Sequence, residues 1–144
     1  MKRSSFIISI SVLLFLSSCS FFSEEGKAID IAKYNIIQKQ LKNPDSMYSE
    51  DFKVLDKMKY RLTAEDIAGD YTLWFIHGNI TASNSFGANL KQGYCVVFFT
   101  GKGGDVFGQD FVVQECSRDN PTAQEITIIK NLFGWDKYKK VAIQ

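Results

Sequence analysis

Only two prolines and one histidine occur among the 144 residues, and the three cysteines show no short paired spacing. Scarce proline, without any low-complexity tract, leaves little room for disorder beyond a short tether. With a single histidine, a Ser–His–Asp or Cys–His centre would have to be built around His77. Cysteines spaced this way do not form a zinc site, and neither a His-Glu-x-x-His helix nor a calcium loop is present. Gly101-Lys102-Gly103-Gly104 lacks the Gly-Lys-Ser/Thr ending with which a phosphate loop opens a helix, so it reads as a hairpin turn. No internal repeat occurs. The formal net charge is +1 and no basic patch stands out, which argues against nucleic acid as a partner. Residues 6–16 form the main apolar run, about half of the roughly 20 residues a membrane-spanning helix needs.

What is present begins at the N-terminus. Lys2 and Arg3 precede the apolar run, Ser9 and Ser11 dilute it, and no acidic residue occurs before Glu24. This is the layout of a secretory signal. It closes on Leu16-Ser17-Ser18-Cys19, which resembles the lipobox of bacterial lipoproteins at every position. The resemblance implies a diacylglycerol on the Cys19 sulfur, cleavage between Ser18 and Cys19, and an acyl group such as palmitate on the new amino terminus. Each buried CH₂ contributes about 0.8 kcal/mol, so two or three chains hold firmly where one holds only marginally. Ser20, rather than Asp, after the cysteine implies the outer membrane rather than the inner one, with the domain facing the periplasm.

On this reading residues 1–18 are the signal, 19–25 a lipidated tether, and 26–144 a single α+β domain. Without Lys2 and Arg3, the 17 basic residues fall to 15 against 16 acidic ones, a nearly neutral domain. Its 12 Phe and six Tyr suffice for a real core. Cys95 and Cys116 then remain as an even pair on an export route, which reads as a disulfide; two buried free thiols are the alternative. Pairing Thr100 with Phe111 would set Cys95 opposite Cys116 across a hairpin with a long loop at 101–110, whereas a tighter turn at Gly103-Gly104 should carry Cys116 out of reach.

Hydrophobic spacing sets the elements. Ile29, Ala32, Ile36, Ile37 and Leu41 recur at helical steps over residues 24–42, and Asn43-Pro44-Asp45-Ser46 stops them. Residues 52–62 alternate as a strand with a bulge near Leu55. Thr63 to Gly69 reads as one capped turn or a wide connection. Residues 71–82 form a strand with Trp74, Ile76 and Ile80 on one face and Tyr71, Leu73 and Phe75 on the other. A loop is expected at 83–93, strands at 94–100 and 106–116, then a helix capped by Asn120 with Pro121 first, lined by Ile126, Ile129 and Phe133 and ended by Gly134. The order predicts an antiparallel four-stranded meander with an N-terminal and a C-terminal helix.

Leu41-Lys42-Asn43-Pro44-Asp45-Ser46, followed by the stretch from His77 to Ala88 (HGNITASNSFGA), resembles a group of small uncharacterised exported or phage-borne bacterial proteins. Pro44, Asp45, Ser46, Gly78, Ala82, Asn84, Ser85, Phe86 and Gly87 carry the likeness. His77 and Ser83 depart from it, since the group has Cys and Lys there. The resemblance implies a shared α+β fold and no particular activity. Asn84-Ser85-Phe86-Gly87 has the chemistry of a structured loop, with Phe86 able to plug into the core or the loop able to present polar groups to a partner. His77 reads as a partly buried, hydrogen-bonded strand residue, and Asp45, Glu50 and Asp51 as a solvated acidic cluster. The expected function is a non-catalytic, membrane-anchored binding or scaffolding domain without cofactor or metal, its partner an envelope protein. An inhibitor or exclusion factor against a lytic enzyme, phage or plasmid, and a small periplasmic hydrolase, are the alternatives.

Overall fold

The computed structural model describes residues 23–65, 68–101, 106–134 and 140–143. The signal, Cys19 and residues 102–105 of the glycine-rich turn therefore lie outside the described residues.

Ser23 opens the first helix, α1 (Glu24–Asp30), its Oγ accepting from the Gly26 N–H at 3.0 Å. Glu24 and Glu25 sit at the positive end of the helix dipole. The helix runs on as a wider π-helical stretch (Ile31–Ile37) and a 3₁₀ turn (Gln38–Gln40). Ala28, Ala32 and Ile36, all buried, recur every four residues, a step that drifts by roughly 40° in a regular α-helix of 3.6 residues per turn. The wider turns oppose that drift and keep the apolar stripe on the sheet. The helix ends at Gln40, with Leu41 extended after it. Asn43 lies outside the helical region before Pro44, as sterics require, and Pro44–Ser46 makes one further 3₁₀ turn.

Four long strands follow: β1 (Tyr48–Leu62), β2 (Gly69–Ser83), β3 (Asn89–Thr100) and β4 (Val106–Cys116), with a short β5 (Lys140–Ala142) after the second helix. All pairs are antiparallel, in the order β4-β3-β2-β1-β5. The α+β reading holds, but the sheet has five strands rather than four. β5, three residues long, pairs only with Tyr60, Arg61 and Leu62 of β1, and a segment that short carries no alternation to read. The expected bulge near Leu55 is present between Val54 and Asp56, and a second interrupts β1 between Glu50 and Lys53. The expected loop at 83–93 shrinks to residues 84–88, because β2 and β3 pair without a break out to Ser83 and Asn89.

The second helix, α2 (Ala123–Phe133), begins three residues beyond the expected Asn120 cap. Thr122 caps it, receiving the Glu125 N–H, while the Glu125 carboxylate receives the Thr122 N–H in return. Pro121 lies before the cap instead of inside the helix. Gly134 closes α2 as expected.

The helices cover opposite faces of the sheet. Ala28, Ala32, Ile36 and Ile37 pack on Trp74, Ile76, Ile80, Val96 and Phe98. On the other face Ile129 and Phe133 pack with Tyr60, Leu62, Phe75, Val97, Phe99, Cys95 and Cys116. Gly78 permits a close approach on the first face, since a Cβ there would lie 2.3 Å from the Phe52 ring.

Candidate functional site

The Lys42–Ser46 turn and the Ser83–Ser85 segment meet at one end of the sheet. Asn43 Nδ2 donates to Ser83 Oγ at 2.7 Å, the Ser83 N–H donates to Ser46 Oγ at 2.9 Å, and Lys42 Nζ reaches Ser85 Oγ at 3.3 Å. Ser46 is itself fixed, its hydroxyl donating to the Asn43 carbonyl at 2.8 Å. The Asn-Pro-Asp-Ser turn therefore clasps the base of the β2–β3 hairpin tip.

Within the tip, Asn84 acts as a second backbone. Its Oδ1 accepts the N–H groups of Phe86 at 2.9 Å and Ala88 at 3.0 Å, and its own N–H donates to the Ala88 carbonyl at 2.9 Å. Gly87 takes φ 80°, the left-handed conformation that glycine adopts at least cost. Every link fixes the backbone, and none involves the Phe86 ring. Phe86 is 94% exposed, so it does not plug the core. Leu90, at the foot of the tip, is 57% exposed. Burying a phenylalanine side chain is worth about 1.5–3 kcal/mol, which the isolated molecule forgoes here. Asn84 and Ser85 thus hold the loop, and Phe86 is the group it presents. The sequence admits both roles, and residues 89–92 (Asn-Leu-Lys-Gln) hold a single apolar side chain, so no alternation marks how far β3 reaches toward the tip.

The remaining chemistry-bearing residues lie inside. His77 is 1% exposed, and its Nε2 donates to the Ser117 carbonyl at 2.8 Å. That bond requires a proton on Nε2, and Nδ1 has no partner among the described residues. The partner of His77 is thus a carbonyl and not a carboxylate. Beside it on β3 is Cys95, whose Sγ lies 2.8 Å from Cys116 Sγ. Both are free thiols, beyond the roughly 2.05 Å of an S–S bond. Hydrogen bonding to Cys116, and after it burial, push the Cys95 thiol far above the usual thiol range.

Their register differs from the expected one. Cys95 faces Gln114 and Gly93 faces Cys116, while Thr100 pairs with Val106. A bulge between Phe98 and Thr100 absorbs the difference, and residues 106–110 are strand rather than loop. Nor does the tighter turn carry Cys116 out of reach. A two-residue shift keeps a side chain on the same face, where diagonal neighbours still touch.

Of the acidic cluster, Glu50 forms an ion pair with Lys91 across the sheet, and Asp45 and Asp51 are exposed. Among the described residues no three His, Cys, Asp or Glu side chains are placed to hold a metal ion. No described helix is long and apolar enough to cross a membrane. No known family, curated protein or solved structure matches this chain.

Proposed function

We propose that this protein is a lipoprotein, anchored through acylated Cys19, whose non-catalytic domain binds an envelope partner through the Phe86 tip. The observation that carries the binding role is an almost fully exposed phenylalanine on a turn held by four hydrogen bonds through Asn84 and Gly87. Such a tip has its backbone ordering cost met before binding, and large aromatic anchors are frequent among interface hot spots.

The start of the first helix and the tip lie at opposite ends of the domain. Glu24 pairs with Lys57 at 2.7 Å, toward the end of β1, whereas the last helical turns lead directly into Tyr48 and the tip. About 17 residues of helix at roughly 1.5 Å each separate the two ends by about 25 Å. A domain tethered through residues 19–22 would therefore aim Phe86 away from the lipid and toward a protein with an apolar socket. Ser20 after the anchor favours the outer membrane. A projecting finger also suits an inhibitor or exclusion factor that enters a partner's cleft.

The test places a photocrosslinking amino acid at position 86 in intact envelopes, with position 131 on α2 as control. A discrete adduct at 86 alone, competed by excess unlabelled wild-type domain but not by Phe86→Asp, is expected. Equal crosslinking at both positions, or competition by Phe86→Asp, would overturn the reading. For the anchor, Cys19→Ala should lose labelled fatty acid and membrane fractionation together.

A further inference from the structure

A second site lies on the α2 face, beyond the start of that helix. The bulge at Asp51, where φ is 55°, bends β1 outward, and the segment after β4 brings Arg118 and Asp119 across from the other side. Between them is a groove of about 640 Å³, lined by Asp51, Lys53, Asn79, Lys91, Arg118 and Asp119 among others. That volume falls within the roughly 300–1,000 Å³ usual for small-molecule sites.

Asn79 is 5% exposed and lines this groove, and its Oδ1 has no hydrogen-bond partner among the described residues. A buried acceptor left unpaired costs about 1–3 kcal/mol, which a ligand N–H donor would recover. The rim adds the second requirement. Lys53, Lys91 and Arg118 are cations, and Lys91 is already neutralised by Glu50. Lys53 Nζ donates to the neutral Asn120 amide, and no carboxylate forms an ion pair with it among the described residues. Arg118 is exposed and offers a planar fork suited to a carboxylate. Asp51 and Asp119 disfavour a bare anion and favour one that also carries N–H groups.

We propose that this groove binds a carboxylate with an N–H on the adjacent carbon: a free amino acid, or the C-terminal residue of a peptide. The carboxylate pairs with Arg118 and Lys53, and the N–H donates to Asn79 Oδ1. This goes beyond the Phe86 reading and does not depend on it.

Calorimetric titration of the full-length chain in detergent micelles would use N-acetylglycine, glycine and acetate. One of the first two is expected to bind at least about tenfold more tightly than acetate, the scale of one charge-assisted hydrogen bond. Preference for N-acetylglycine identifies a peptide end, and preference for glycine a free amino acid. Arg118→Gln, at an exposed position, should weaken that binding about tenfold; Asn79→Leu should abolish the preference over acetate. Equal binding of acetate, no heat from either N–H ligand, or wild-type binding by Arg118→Gln would each overturn the proposal. A silent groove alongside an intact crosslink at position 86 would remove this site alone.

Discussion

The two faces of the sheet are built to different standards. The face under the N-terminal helix buries mostly hydrocarbon, with Thr72 and a satisfied polar pair in which Trp74 Nε1 donates to Thr100 Oγ1 at 2.8 Å. The face under α2 buries His77, Asn79 and two thiols, and keeps an apolar cleft of about 250 Å³ beside Phe133. An eleven-residue helix does not cover what the longer one does. The sealed face therefore concentrates stability, while the looser one has room for polar groups and a ligand.

Truncation on the sealed face should break this contrast most severely. Trp74→Ala should cost about 3–5 kcal/mol, read by urea unfolding, because it opens a cavity and strands the Thr100 hydroxyl. A loss below about 1 kcal/mol would mean that the faces do not differ as described.

The thiol pair gives the next largest effect. Export should oxidise Cys95 and Cys116, two electrons and two protons passing to a disulfide-bearing oxidant, and the bridge should stabilise by about 3 kcal/mol. Mass spectrometry after alkylation without reductant should find neither cysteine labelled in exported protein. Two labelled cysteines would leave the pair as core residues only.

The seating of α2 comes third. Thr122→Ala should cost about 1 kcal/mol by removing the cap. Hydrogen bonds from Thr122, chiefly its backbone N–H, and then from Ser117, hold the Glu125 carboxyl below its usual 4.5 against a smaller desolvation effect. A depressed carboxylate stabilises the fold above its unfolded value and loses that contribution as pH falls through the lower folded one. Acid titration of unfolding should therefore show a steeper decline in the wild type than in Glu125→Gln below about pH 4.5.

The smallest effect belongs to neither face. Phe86→Ala should change stability by less than about 0.5 kcal/mol while losing the ability to compete for the envelope crosslink made from position 86. A larger loss would show that the ring packs against the domain after all.

Much of this division was legible in the residues. Alternation along β2 assigned Trp74, Ile76 and Ile80 to one face and Tyr71, Leu73 and Phe75 to the other, because a two-residue period leaves no second choice. Ile126, Ile129 and Phe133 marked the inner side of α2 by the helical equivalent. What escaped was anything set by pairing between distant segments. The β3–β4 register turned on a bulge between Phe98 and Thr100 that no local pattern encodes. Thr122 displaced Asn120 as the cap because Glu125 could answer it. The groove depends on Asn79, Lys53 and Arg118, which become neighbours only once three strands are assembled.

The outer edge of β1 bears on how such molecules live side by side. Among the described residues, β5 pairs with that edge only at Tyr60, Arg61 and Leu62, so most of a fifteen-residue strand is open to a stray partner. Two bulges kink it, and Glu50, Asp51, Lys53, Asp56, Lys57 and Lys59 place charge along its length. Kinks and charges are what keep an open strand from zipping onto its neighbour. Were they held on a lipid surface by the proposed Cys19 anchor, such molecules would collide far more often than free ones, in a restricted set of orientations. For them, a β1 that refuses edge-to-edge growth separates a crowded layer of monomers from a two-dimensional aggregate.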